Sequence, residues 1–268
     1  MVAWLKQLNS SEQVALLFVV LFGLLMLLTA TLFLNSLRER ADEEARRASE
    51  LTWERVRRDL RAAWIGGCMF WVAWVSGPLG ATLLFALFSF LALREFITLM
   101  QTRRSDHRSL LAAFFLVLPL QYVLVGTQHF DLFSVFIPVY VFLAIPVISA
   151  LAGDPRHFLE RNAKIQWGIM VCVYGMSHVP ALLMLKFPGY DHKNAFMVFF
   201  LVLVVQFCMA VQHLVSRKLK LPPAAPAISQ SFNWPSWWIG VFIASLFGAL
   251  LAGITPWVPG TAFAFSFI

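Results

Sequence analysis

The side chains with chemistry to offer are polar residues stranded inside long apolar runs. Arg94 and Glu95 stand together in Leu91-Ala92-Leu93-Arg94-Glu95-Phe96. Ser177 and His178 follow Tyr174-Gly175-Met176 and precede Val179-Pro180. Gln206, Gln212 and His213 line a third run, with Gln206 two turns before His213. Ionisable groups in such runs mark function by default. Each set admits two readings. Arg94–Glu95 is either an arginine reaching for an interface beside a local ion pair, or one wall of a polar cavity open to one side. His178 either bonds to a carbonyl freed by Pro180 or acts as a site residue near mid-membrane. The amides and His213 either bond across to neighbouring helices or contact substrate. No run holds two carboxylates, so Glu95 is the main candidate for acid–base or metal work inside them. No glycine-rich phosphate loop, HExxH motif or Gly-x-Ser-x-Gly turn occurs.

The elements that carry these residues are about eight apolar stretches, near 14–34, 63–79, 81–100, 110–126, 131–152, 165–186, 195–215 and 236–256. A hydrocarbon core of roughly 30 Å takes about 20 residues of helix to cross. Unpaired backbone cannot cross it, so the predicted fold class is all-α, a polytopic helical membrane protein. The chain is 60% hydrophobic and 13% charged, against about 25% charged in soluble domains. One membrane-embedded domain over 1–268 is predicted, with a tight hairpin at Ser76-Gly77-Pro78-Leu79-Gly80 between the second and third spans. Pro119, Pro138, Pro146 and Pro180 fall inside spans, which requires neighbours to pair the carbonyls they free. Cys68, Cys172 and Cys208 all lie in spans without metal or disulfide spacing and read as buried free thiols.

The net charge is +7, but the basic residues sit at span ends rather than on one soluble face, which argues against nucleic-acid binding. Alternate loops 35–62, 101–109, 153–164 and 216–235 hold 17 of the 21 Lys and Arg. The opposite side holds Lys6, Lys186 and Lys193. The positive-inside rule then puts the 17 in the cytoplasm and the N-terminus outside, in a multi-pass membrane protein. The first span is expected to stay as a span rather than leave as a cleaved leader. Residues 35–62 form a cytoplasmic charged arm, with Asp42–Arg46, Glu43–Arg47 and Glu54–Arg58 at helical i,i+4 spacing. A helix near the membrane surface is predicted there, serving as a solvated connector or a partner-binding element.

Several segments together resemble the phosphatidate cytidylyltransferases (CDP-diacylglycerol synthases) of bacteria. They are Leu91–Phe96, Ile165–Gly175, Tyr174–Leu183, Val205-Gln206 followed by Gln212, and Ala227-Ile228-Ser229. The resemblance covers roughly 80–256. It implies transfer of CMP from CTP to phosphatidic acid, with release of pyrophosphate. It also implies Mg²⁺ at the phosphates, and Arg217, Lys218, Lys220 and Ser229 as nucleotide-binding residues; setting topology is the other reading of those three cations. Three departures accompany it. The register of Gln206 and Gln212 puts Met209 where the family has an aspartate, and a thioether is a poor ligand for a hard cation. The family's Ser-Pro-x-Lys-Thr-x-Glu-Gly loop reads Ser229-Gln230-Ser231-Phe232-Asn233-Trp234-Pro235-Ser236, with Phe232 in place of the lysine. The family's C-terminal segment with paired aspartates has no counterpart before Ile268, so a C-terminally truncated, divergent member is expected. Metal ligands are not identifiable in the sequence, and weak or no activity is the expectation. A non-catalytic membrane scaffold or lipid-binding homologue is the alternative. A transporter ranks last, for want of an internal two-fold repeat. A homodimer is among the assemblies a thin helical bundle allows.

Overall fold

The structure, a computed structural model, describes residues 9–38, 43–188, 190, 193–219, 222–227 and 232–268, without the side chains of 35–38, 43–56 and 217. The described residues are all-helical, as the sequence predicts. They divide into two compact units, Met1–Met184 and Leu185–Ile268.

The first unit opens with α1 (Ser10–Arg38) and α2 (Glu43–Val75). They run antiparallel: Phe18 packs on Phe70 and Trp74, and Phe22 stacks on Trp64 at 5.7 Å. Residues 43–62 of the predicted arm are helical and continue without a break into the span that follows. Among the described residues seven helices are long and apolar enough to cross a membrane, one fewer than the eight predicted. The difference is α2, whose uncharged part, 62–75, spans only about 21 Å of helix. It nevertheless lies alongside α1, with Arg57, Arg58 and Arg61 at its end, where long side chains can reach headgroups.

Ser76 alone separates α2 from α3 (Gly77–Thr98). Gly77 has φ +70°, which only glycine adopts freely, and a Cβ on Gly80 would meet the Ser76 Cβ at 2.2 Å. The predicted hairpin is therefore set by these two glycines. The unit continues through α4 (Arg104–Gly126), α5 (Phe130–Ala150) and α6 (Phe158–Met184). Helices α4 and α6 begin six or seven residues before the predicted spans at 110 and 165. Their first turns are polar, and apolar patterning alone places them in loops; charged turns extend a helix past the apolar slab without penalty. Leu93, Ile137, Ile145, Ile169 and Val173 are fully buried in a shared core. Leu83, Phe115, Leu143 and Trp167 stand exposed on the outside, the distribution that lipid as solvent permits. Of the three cysteines only Cys172 is buried; Cys208 is partly covered and Cys68 is exposed, because an outward thiol costs nothing against hydrocarbon.

Each of α4, α5 and α6 widens into a π-helical stretch: Ala113–Val117, Phe136–Val141 and Met170–Gly175. Pro138 lies inside the second, Pro119 just after the first and Pro180 one turn beyond the third. A proline frees the carbonyl four residues before it. The Ser134 carbonyl, freed by Pro138, accepts from the Tyr174 hydroxyl at 3.0 Å. The Phe142 carbonyl, freed by Pro146, accepts from Gln166 Nε2 at 2.8 Å. Helix α6 thus supplies both donors that its neighbour α5 needs.

The second unit consists of α7 (Asn194–Leu219), α8 (Trp234–Leu250, tightening to a 3₁₀ turn at Leu251–Ile254) and α9 (Pro259–Phe267). Helices α7 and α8 cross closely at Gly240, where a Cβ would meet the Cys208 carbonyl oxygen at 3.2 Å and the Gln212 Cβ at 3.3 Å. Helix α9 packs on α8 at Gly248, against Ser266. Asn233 caps α8 by accepting from the Ser236 N–H at 3.0 Å, and its Nδ2 donates to Ser216 Oγ on α7 at 3.0 Å.

Candidate functional site

The polar residues singled out in the first unit fall into two places. Ser177 is fully buried on α6, where its hydroxyl donates to the Tyr174 carbonyl at 2.7 Å and accepts from Gln121 Nε2 at 3.2 Å. His178 is half-buried beside the Tyr174 and Phe133 rings, with centroids 4.5 and 4.9 Å away. Its Nδ1 lies 2.7 Å from the Tyr174 carbonyl oxygen, a neighbouring carbonyl one turn back but not the Met176 carbonyl that Pro180 frees. A second buried pair, Ser89 with the Tyr122 hydroxyl, joins α3 to α4. Gln121 Oε1 has no hydrogen-bond partner, so the cluster keeps one acceptor open.

Arg94 and Glu95 are not part of this cluster. Gly168 of α6 backs onto the Leu93 and Phe96 side chains, which fixes their depth. Ser177 lies nine residues further along α6, about 14 Å at helical rise. Both Arg94 and Glu95 are exposed, and neither has an ion-pair or side-chain hydrogen-bond partner among the described residues.

The first turns of α4 and α6, with Asp154 in the loop before α6, carry a charge clamp. Arg161 is 5% exposed and Asp106 1% exposed. Arg161 Nε approaches Asp106 Oδ1 at 2.9 Å as a charge contact rather than an aligned hydrogen bond. The same guanidinium donates to Asp154 Oδ2 at 2.7 Å and to the Asp154 carbonyl at 3.0 Å. Ser105 Oγ donates to Asp154 at 3.1 Å, and the Arg103 N–H donates to Asp106 Oδ2 at 2.9 Å. The Arg156 backbone N–H, then Arg161 and Ser105, hold the Asp154 carboxyl down to about 2 against a smaller opposing effect of desolvation. A depressed carboxylate stabilises the fold above its unfolded value of 3.8, and that contribution is lost as pH falls toward 2. Nothing in the sequence pattern identified this clamp, although one signal was present: Asp106 is the lone acid of its arginine-rich loop.

In the second unit Gln206 and His213 share an exposed face of α7 with Met209, which is 48% exposed. Gln212 does not line up with them. It turns toward α8 and packs on Gly240, because six residues advance a helix by 600°, about a third of a turn short of alignment. Lys218 is exposed at the end of α7; Lys220, Ser229 and the Arg217 side chain lie outside the described residues. Asn233, which ties α7 to α8, was missed in the sequence, although Asn before Trp-Pro-Ser is a helix-start signal.

Among the described residues no three His, Cys, Asp or Glu side chains converge to hold a metal ion. The two acids that meet, Asp106 and Asp154, are both engaged by Arg161.

Comparison with known proteins decides the family. The family described as "Cytidylyltransferase family" matches residues 56–268. The chain belongs to the cytidylyltransferase family. An Escherichia coli (strain K12) relative, the uncharacterized protein YnbB, is 34% identical over 210 residues, 78% of this chain. The match spans 65% of that relative's length. No solved structure matches. Helix α1 lies outside the family match, and α2 enters it near its middle. This cytidylyltransferase-family protein is a multi-pass membrane protein, with seven qualifying helices among its described residues.

Proposed function

We propose that this family member transfers CMP from CTP to phosphatidate, giving CDP-diacylglycerol and pyrophosphate, with weak turnover of its own. Family membership over residues 56–268 carries the reading. An oxygen of the lipid phosphate attacks the α-phosphorus of CTP, and the bond to the β-phosphate bridging oxygen breaks as pyrophosphate leaves. Arg217, Lys218, Lys220 and Ser229 are the proposed contacts for the nucleotide phosphates. The setting is a bacterial cytoplasmic membrane with the N-terminus outside, supported by the 17 basic residues on alternate loops. Lipid phosphate arrives at headgroup level and CTP from the cytoplasm, so both meet at those loops.

Weak turnover follows from Met209, an exposed thioether in the register of an expected carboxylate, and from Phe232 in place of the family's lysine. The same two observations favour a second reading, a homologue that binds lipid without catalysis. The experiment is conversion of labelled CTP and phosphatidic acid by the purified chain with Mg²⁺. The first reading predicts CDP-diacylglycerol above a no-enzyme control, at a rate well below that of an intact family enzyme. A rate equal to that enzyme contradicts the weak-turnover reading, and product no higher than the control leaves the second reading standing.

A further inference from the structure

Helices α1 and α2 enclose an open cleft of about 580 Å³, lined by Thr29, Arg57, Arg58, Leu60, Arg61 and Trp64. We infer that this cleft holds the phosphate headgroup of an anionic phospholipid, with none of its lining residues among those proposed to contact the nucleotide. Three features converge. Arg57, Arg61 and Trp64 fall on one face of α2 at i, i+4 and i+7, and Arg58 flanks them. All three arginines are exposed, and none has an ion-pair partner among the described residues, so three guanidinium forks are free for phosphate oxygens. Trp64 is pinned as the back wall: its Nε1 donates to Thr29 Oγ1 at 3.1 Å and its ring stacks on Phe22.

Depth selects a lipid. Thr29 lies five residues short of Leu34, the end of the apolar run of α1, about 7.5 Å along the helix. Trp64 is therefore at interfacial depth, where tryptophan is favoured, and Arg61 and Arg57 lie about one and two turns from it along α2. Leu60 and Trp64 in the cleft, and exposed Met26 on α1 one turn before Thr29, offer apolar surface for the acyl chains. A free phosphate would use the arginines alone; a phospholipid uses both parts. Of the six lining residues only Thr29, on α1, lies outside the family match.

The test uses the purified full chain in zwitterionic detergent micelles with phosphatidylglycerol carrying an acyl-chain fluorophore, read by anisotropy. Saturable binding is expected. The R57Q/R58Q/R61Q variant should bind on the order of a hundredfold more weakly, since each cation near a membrane surface contributes about fivefold. The R57K/R58K/R61K variant should retain most of the binding, and R104Q/R156Q, with equally exposed arginines elsewhere, should bind like the wild type. Unlabelled phosphatidylglycerol should displace the probe; phosphatidylcholine and inorganic phosphate should not. Wild-type affinity in the triple glutamine variant, or equal loss in R104Q/R156Q, overturns the assignment. Displacement by phosphatidylcholine removes the anionic requirement, and displacement by inorganic phosphate removes the lipid requirement; either overturns it too. If the glutamine variant does not fold, these competitions on the wild type decide the question.

Discussion

The loop ends of the first unit and the exposed face of α7 in the second are both polar, and they treat polarity in opposite ways. Arg161 is nearly sealed from solvent and has a carboxylate on each side, Asp106 and Asp154. Gln206 and His213 stand exposed beside Met209 with no hydrogen-bond partner among the described residues. A buried charge must be paired at home, because leaving it unpaired costs several kcal/mol. An exposed amide or imidazole on a membrane helix carries no such obligation and is available to something outside its own unit. The clamp therefore reads as architecture, joining the first turn of α4 to the start of α6. The α7 face is the one proposed for a substrate or partner contact.

Two substitutions sharpen that contrast. Arg161→Ala should have the largest effect, about 3–5 kcal/mol of lost stability, because Asp106 would be left buried and charged. Thermal or denaturant unfolding of the detergent-solubilised protein, followed by circular dichroism, measures it; a loss under about 0.5 kcal/mol would make the clamp ornamental. The double variant Gln206→Ala/His213→Ala should have the smallest effect, within about 0.5 kcal/mol of wild type in the same assay. If the double variant destabilises as much as Arg161→Ala, the α7 face is structural and the contrast fails.

Most of the fold is legible in the sequence because charge is excluded from the spans, and charge is the loudest signal a membrane imposes. The hairpin at Gly77 and Gly80 and the need to satisfy proline-freed carbonyls are legible for the same reason: each is a constraint on backbone groups. The donors that satisfy those carbonyls, Tyr174 and Gln166, are not legible. Periodicity says which residues share a helix face, but not which carbonyl of another helix lies opposite. The Arg161 clamp escaped for a related reason: arginines in basic loops all count alike toward topology until geometry shows one of them buried. Helix rotation explains the remaining difference. Gln206 and His213 share a face by their seven-residue spacing, whereas Gln212 belongs to the crossing with α8 at Gly240. The nucleotide-loop residues implied by resemblance, Lys220 and Ser229, lie outside the described residues.

We propose that the arginine-bearing ends of this membrane protein face the compartment that supplies CTP. Single cysteines placed at Arg104, Arg156 and Lys218 in a background lacking Cys68, Cys172 and Cys208 test it in intact cells with a membrane-impermeant thiol reagent. The account predicts that all three stay unlabelled until the membrane is opened, while cysteines at Gln128 and Pro188 label from outside. Labelling of position 104 or 218 in sealed cells would contradict both the orientation and the nucleotide assignment that depends on it.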